Sequence, residues 1–382
     1  MKNVLLLGAT GSIGKSVLSV IAQNKESLNL IGISFNKNVL RYQEILKEHS
    51  PDYVYIEDHD SFKSLCNKEK ERYLNGDIEL ERLINRDDVD IIVCATSGFA
   101  GLKAAYIAAK TGKKILLANK ESIVAGGDLI LPLAKENNSE IIPIDSEHNA
   151  IFQCLSGEKG TEDVKNITIT ASGGPFINTP IQELQHVTVE DALNHPNWKM
   201  GNKVTIDSAT LVNKCLELIE ARYLFGLDEK YFDLVIHPQS IIHSIVTYID
   251  GSSICQMSSP DMRVPIAHAL SEENRIPIDF KDLDFSNLNL SFQEFPSDRT
   301  KIQDIAREVC NKGGFLGTIF NAANEVAVKS FLNKEINFNE IYEVIYRTFD
   351  KNIVSNEVSI ESINEVDAQT RIHAQKVVKS FA

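Results

Sequence analysis

"NVLLLGATGSIGKSVLSVIAQ", residues 3–23, sets an apolar run against a glycine-spaced turn and then a helix-forming stretch. Val4 to Leu7 is unbroken in its apolarity, as expected of a parallel strand covered on both faces. Gly8, Gly11 and Gly14 follow between strand and helix. Glycines in that setting let the backbone approach a pyrophosphate, and the helix N-terminus offers N–H donors and a partial positive charge. The spacing is GxxGxxG rather than GxGxxG, a variant common among NADP-dependent enzymes.

The same pattern repeats downstream. "LNLIGIS" (28–34), "YVYI" (53–56), "IIVCA" (91–95), "KILLA" (114–118) and "EIIPI" (140–144) are short apolar runs separated by helix-like segments near 39–48, 102–110 and from 122 onward. Repeated β-α units of this kind predict a Rossmann-like, doubly wound parallel sheet over residues 1–144. Residues 145–270 read as an α+β catalytic domain: "VKNITIT" (164–170) has strand character, residues 211–225 have helical spacing, and "HSIVTYIDGSSICQM" (243–257) is a hairpin turning at Asp250-Gly251. Residues 271–299 are polar and read as a surface linker, and 300–382 as a C-terminal helical bundle. The expected class is α/β.

The chain has 382 residues, 43% hydrophobic and 24% charged, with a net charge of −14. That field repels nucleic acid, so any phosphate site must be built locally. The six cysteines (66, 94, 154, 215, 255, 310) show no CxxC pair and read as reduced thiols. Met1-Lys2-Asn3 leads straight into a strand-like run, leaving no room for a signal or transit peptide, and the apolar stretch from Ile91 is broken at Ser97-Gly98, too short to span a bilayer. A cytoplasmic protein with no membrane partner is expected.

Several strand ends carry chemistry. The second strand ends Ser34-Phe35-Asn36-Lys37-Asn38, without the acid that holds an NAD ribose; a lysine among amides suits the 2′-phosphate of NADPH. In "LLANKES" (116–122), Asn119, Lys120 and Glu121 either face the crevice at the strand ends or form the charged first turn of a helix. "DSEHNAIFQ" (145–153) places Asp145 and Glu147 two apart, on one side of an extended segment, and such hard oxygen ligands suit Mg²⁺ or Mn²⁺ better than Zn²⁺. The competing reading is a helix N-cap, with His148 structural.

A divalent site needs a third carboxylate. "DSATLVNKCLELIEARYLF" (207–225) puts Asn213, Lys214 and Glu217 on one helix face, opposite an apolar face of Leu211, Leu218 and Ile219, so the polar face is expected to look at solvent or a cleft. Ser208 is expected near that helix's N-terminus, where a phosphate is welcome. In "ITASGGPF" (169–176) Ser172 is placed to donate to an anion. "HPNWKMG" (195–201) carries the chain's one tryptophan, Trp198, as a mobile lid or as a core anchor. His237 and His243 in "IHPQSIIHS" read as core histidines.

These motifs, with "PDMRVPIAHAL" (260–270) and "NAANEVAV" (321–328), occur in an order that resembles the 1-deoxy-D-xylulose 5-phosphate reductoisomerase family over nearly the whole length. The resemblance implies an NADPH- and divalent-metal-dependent rearrangement of 1-deoxy-D-xylulose 5-phosphate, in which the C3–C4 bond breaks, the skeleton rejoins and the resulting aldehyde is reduced. The product is 2-C-methyl-D-erythritol 4-phosphate, of the non-mevalonate isoprenoid pathway. It places cofactor contacts at Thr10, Gly11, Ser12, Ile13, Asn36, Lys37, Asn38, Asn119, Glu121 and Gly201, and metal ligands at Asp145, Glu147 and Glu217. Substrate contacts fall on Lys120, Ser146, Glu147, Ser172, His195, Ser208, Asn213, Lys214 and Glu217. Lys120, Asp145, Glu147, His195 and Glu217 are the implied catalytic set, with the proton acceptor open between Glu147 and Lys120. Asn36 stands where many members have Gly. The family also implies a homodimer. Two alternatives are another NADPH reductase of similar layout, which needs no metal, and a non-catalytic NADP-sensing module.

Overall fold

The computed structural model describes residues 1–66, 72–158, 160–272, 274–350 and 357–381. Residue 273 of the expected linker, 351–356 and 382 of the expected C-terminal domain, and 67–71 and 159 lie outside them. The chain folds into two compact units: Met1–Ser122 with Ile130–Asn149 and Asp261–Phe280, and Ile123–Leu129 with Ala150–Pro260 and Lys281–Ala382. The architecture is α/β.

The first unit is a seven-stranded sheet of β1 (Lys2–Leu7), β2 (Leu28–Phe35), β3 (Tyr53–Ile56), β4 (Tyr73–Leu74), β5 (Ile91–Cys94), β6 (Lys114–Leu117) and β7 (Glu140–Pro143), in the order β4-β3-β2-β1-β5-β6-β7. Every pairing is parallel. Strand order reverses between β1 and β5, so their carboxyl ends flank the crevice where ligands of such folds bind. The apolar runs read from the sequence supply six of the strands; β4, two residues at the edge, carries no such run.

The helix Arg263–Leu270, counted with the middle domain on sequence, packs against the helix Ser12–Gln23 of the first unit. Its residues Pro265, Ile266, Ala267, Ala269 and Leu270 are buried. The chain beyond is tied down by polar contacts: Asn24 Nδ2 donates to the Pro277 carbonyl (2.9 Å), the Asp279 N–H to Gln23 Oε1 (2.6 Å), and Lys114 Nζ to the Ser271 carbonyl (2.7 Å). The first part of the polar stretch is thus held by hydrogen bonds between side chains and its backbone, which hydropathy does not report.

The second unit holds a five-stranded sheet ordered β11-β10-β8-β9-β12, from β8 (Val164–Ala171), β9 (Phe232–Ile236), β10 (Ile242–Tyr248), β11 (Ser253–Met257) and β12 (Gln293–Glu294). β10 and β11 form the antiparallel hairpin expected around Asp250-Gly251, and Gly251 takes the left-handed turn conformation with φ 89°. Ile167, Ile169, Phe232, Leu234 and Val246 from the sheet share one core with Cys215, Leu218 and Ile219 of the helix Val212–Phe225 and with the four helices Thr300–Lys312, Leu316–Leu332, Phe338–Phe349 and Ile360–Lys379. Each such side chain stabilises by about 1.5–3 kcal/mol relative to exposure. Residues 123–129 join this unit through Gly127, whose missing Cβ admits the Tyr223 ring, and through the Thr318 hydroxyl, which donates to the Ala125 carbonyl (2.9 Å). All six cysteines are free, and among the described residues no helix is long and apolar enough to cross a membrane.

Candidate active site

In the first unit the glycine loop sits at the carboxyl end of β1, in the crevice beside β5. Gly8 has φ 91°, and a Cβ there would lie 2.5 Å from the Ala95 carbonyl oxygen at the end of β5. The Ala9 N–H bonds the Ser34 carbonyl (2.8 Å) and the Gly8 N–H the Ser34 hydroxyl (2.9 Å), which locks the loop to the end of β2. The helix Ser12–Gln23 starts at Gly11 without a side-chain cap and without an acid in its first turn. Its N-terminal N–H groups therefore suit a pyrophosphate. Thr10 and Ile13 are half-buried, while Gly11, Ser12, Asn36, Lys37 and Asn38 are exposed. Asn36 is not among the non-glycine residues of positive φ, so the position makes no conformational demand for glycine. Asn38 caps the helix Val39–Ile45, its Oδ1 accepting from the Arg41 N–H (3.0 Å). These residues fit a dinucleotide.

The next two clusters belong to the same unit. Asn119 is the N-cap of the helix beginning at Lys120; its Oδ1 accepts from the Ser122 N–H (3.1 Å) and its Nδ2 donates to the Gly98 carbonyl (2.9 Å) and to Glu121 Oε2 (3.0 Å). Asn119, Lys120 and Glu121 are all buried. Lys120 Nζ lies 2.5 Å from Asp145 Oδ2, linking two motifs that are 25 residues apart. Asp145 and Glu147 do not lie on an extended segment: the helix begins at Ser146, and the Asn149 N–H already bonds the Asp145 carbonyl (2.9 Å). The helical turn still brings a carboxylate oxygen of each within 4.8 Å of the other. The Ser146 hydroxyl donates to Glu147 (2.5 Å), and the fully buried His148 has Nδ1 3.9 Å from Asp145. Two adjacent hard carboxylates fit a divalent ion of the Mg²⁺ or Mn²⁺ type.

In the second unit, the stretch 207–225 forms two helices, Asn202–Ala209 and Val212–Phe225, because Leu211 takes a left-handed conformation (φ 61°) between them. Ser208 accordingly ends the first helix and does not open the second. Asn213 and Lys214 both donate to Glu217, as the i, i+4 and i, i+3 spacing requires. Their face does not look at solvent: Lys214 is 4% and Glu217 1% exposed. The charged pair is buried in a helix that also buries the carboxylate of Glu220.

Ser172 follows β8, held in a turn where Gly173 and Gly174 both take positive φ, and at Gly174 a Cβ would meet the Ser208 carbonyl. This brings Ser172, Ser208 and His195 together, with His195 Nε2 3.0 Å from Ser172 Oγ and 3.2 Å from Ser208 Oγ. Burial lowers the His195 pKa to about 4, so the ring is neutral near pH 7. Trp198 is half-buried, its ring centroid 6.1 Å from that of His243 on β10, and Gly201 is the exposed, uncapped N-cap of the helix Asn202–Ala209. His237 and His243 are buried, as expected of core histidines. Sequence reasoning does not single out Asn197, which no periodicity marks; only its "HPNW" loop hints at it.

Residues 4–127 match the family model of 1-deoxy-D-xylulose 5-phosphate reductoisomerase, 141–225 that of its C-terminal domain, and 257–373 a further DXP reductoisomerase C-terminal domain. The 1-deoxy-D-xylulose 5-phosphate reductoisomerase of Clostridium botulinum (strain Okra / Type B1) is 44% identical over 382 residues, covering 98% of this chain and 99% of its own. The chain belongs to the DXP reductoisomerase family. The relative from Vesicomyosocius okutanii is 42% identical, with both chains covered completely. Among solved DXP reductoisomerases, one in complex with NADPH, fosmidomycin and magnesium matches with a TM-score of 0.92 at 36% identity, over 99% of this chain and 98% of its own. The enzyme from Zymomonas mobilis in complex with NADPH gives 0.90 at 38% identity, over 99% of both chains.

Proposed function

We propose the residue assignments below for the reaction of the DXP reductoisomerase family. The chain is an NADPH-dependent oxidoreductase that converts 1-deoxy-D-xylulose 5-phosphate to 2-C-methyl-D-erythritol 4-phosphate with a divalent metal. The end-to-end family match carries that assignment. Bound NADPH supplies hydride, and the divalent ion supplies Lewis-acid polarisation of the substrate's ketone and neighbouring hydroxyl oxygens.

The chain's own residues bind, orient and protect. The loop at Thr10, Gly11, Ser12 and Ile13 receives the pyrophosphate, Asn36, Lys37 and Asn38 the 2′-phosphate, and Asn119, Glu121 and Gly201 complete the cofactor contacts. Asp145, Glu147 and Glu217 are the ligands of the ion; their support is the hard donor set and the adjacency of the first two. Ser172, Ser208, Asn213 and Lys214 grip the substrate phosphate, with His195 beside the two serines. Ser146 and Lys120 hold the other end, and Lys120 or Glu147 takes the hydroxyl proton. The 195–201 loop excludes water. The decisive experiment is nicotinamide absorbance with the purified chain, NADPH and deoxyxylulose phosphate, with and without chelator. No oxidation in the presence of metal rejects the assignment.

Lys37 is 75% exposed with Nζ 3.5 Å from Asp58, so it is free to swing onto a phosphate at little desolvation cost. NADPH is expected to exceed NADH by at least about tenfold in kcat/KM, ~1.4 kcal/mol, and Lys37→Asp to narrow or invert the ratio. Equal use of both cofactors by the wild type refutes this role.

A cytoplasmic homodimer completes the proposal. β11 is an edge strand that leaves Ile254 (44%) and Cys255 exposed, an open edge of the kind that pairs with a second chain. Light scattering is expected to report twice the chain mass of 42.6 kDa, and Ile254→Lys to lower it; a wild-type monomer at micromolar concentration rejects the dimer.

A further inference from the structure

The His195 ring lies between groups of opposite hydrogen-bonding character. Its Nδ1 is 3.1 Å from the backbone nitrogen of Asn197 and 3.0 Å from that of Trp198. A backbone N–H can only donate, so Nδ1 is the acceptor, and a neutral imidazole accepting there carries its proton on Nε2. That proton faces the hydroxyls of Ser172 (3.0 Å) and Ser208 (3.2 Å). Ser172 Oγ also accepts from the Gly174 N–H at 3.3 Å. A serine oxygen that accepts the imidazole proton keeps its own O–H to give, and although one of the two hydroxyls can pass its proton to the other across the 3.5 Å between Ser172 Oγ and Ser208 Oγ, an O–H is still left to point outward. Hydrogen-bond polarity therefore runs from the loop backbone, through the imidazole, to serine hydroxyls that serve as donors.

The loop backbone is itself anchored by one side chain. Asn197 Nδ2 donates to the Pro238 carbonyl (2.5 Å) and lies 3.2 Å from the Ser240 hydroxyl. Its partners sit in the turn between β9 and β10, where Ser240, 6% exposed, holds a φ of 53° that non-glycine residues rarely adopt. A strained conformation persists only where the surroundings determine it, so this turn is a fixed point for the loop.

We propose that Asn197 is a positioning residue for phosphate recognition: by tying the 195–201 loop to the Pro238–Ser240 turn, it holds His195 as the Nε2–H tautomer and so turns Ser172 and Ser208 into donors toward the substrate phosphate. The inference rests on the reading of those serines as phosphate contacts. Burial, which keeps His195 uncharged near pH 7, acts in the same direction.

The test uses full-length enzyme labelled with ¹⁵N-histidine, whose long-range ¹H–¹⁵N correlations distinguish the two tautomers; the His195 signals are identified by their loss in His195→Gln. In the wild type without substrate, His195 is expected with Nδ1 bare and Nε2 protonated, unchanged between about pH 8 and about pH 5.5. Asn197→Asp is nearly isosteric but lacks the N–H donor. It and Asn197→Ala are expected to mix the tautomers and to raise KM for the phosphosugar about tenfold, the loss of one hydrogen bond to a charged group, with kcat, NADPH affinity and melting temperature little changed. A wild-type ring protonated on Nδ1, or an Asn197→Asp enzyme with wild-type tautomer and KM, overturns the proposal at the lock itself. Mixed tautomers with an unchanged KM overturn it instead through the phosphate assignment.

Discussion

Glu217→Gln is expected to lower kcat about 10³-fold or more, because one of three proposed metal ligands loses its charge and Lewis-acid stabilisation of ~4 kcal/mol goes with it. Glutamine nearly preserves the shape, but it presents an amide to the donors Asn213 and Lys214 and removes a countercharge beside an ammonium that is 4% exposed. Breaking a buried pair costs about 3–5 kcal/mol, so the variant also melts lower. Activity and stability must therefore be separated by a third measurement. Magnesium or manganese is expected to raise the wild-type melting temperature by binding only the folded state, and to leave that of Glu217→Gln unmoved. NADPH affinity is expected to survive, since the glycine loop belongs to the first unit. Near-normal turnover together with a retained metal response removes Glu217 from the metal site and leaves it a structural partner of Lys214.

Gly8→Ala is expected to weaken NADPH binding about 10²-fold, the effect of misplacing a binding loop by about an ångström, and to destabilise the fold by about 2–5 kcal/mol. Two causes act together. The backbone at φ 91° disfavours any L side chain, and the new Cβ would stand 2.5 Å from the Ala95 carbonyl oxygen and 2.7 Å from the Thr96 nitrogen, which are backbone atoms that cannot rotate away. Gly11→Ala is the comparison: no positive φ is required there, and its nearest neighbour, the Gly8 carbonyl oxygen, is at 3.4 Å, so the melting temperature is expected to change little. Thermal melts and fluorescence titration with NADPH check both. Equal melting temperatures for the two variants contradict the steric argument.

Local periodicity made much of the fold legible. Apolar runs such as Val4–Leu7 and Ile91–Cys94 announce buried parallel strands because both faces of such a sheet are covered, and an Asp-Gly pair announces a hairpin because glycine takes the left-handed turn cheaply. β4 was not legible, since two half-buried residues carry no period. The break at Leu211 is hidden for a related reason: leucine is a good helix former, and nothing in its neighbours along the chain marks the left-handed conformation it takes beside Ala171 and Ile236.

For the site, residue types and spacing along one helix were enough to group Asn213, Lys214 and Glu217, and the order of the motifs identified the family. The sequence by itself thus determined the class of sheet and the fit to a dinucleotide, which depend on neighbours within a few turns of chain, while the proposed ligand set Asp145, Glu147 and Glu217 came from the order of motifs along the whole chain. Tertiary structure alone decided that Lys214 and Glu217 are buried, that Lys120 meets Asp145, that Arg263–Leu270 packs on the first unit, and that His195 takes its tautomer from Asn197 and Trp198 while facing Ser172 and Ser208. Burial and hydrogen-bond direction depend on which backbone groups and side chains arrive from distant parts of the chain, and no local pattern encodes that.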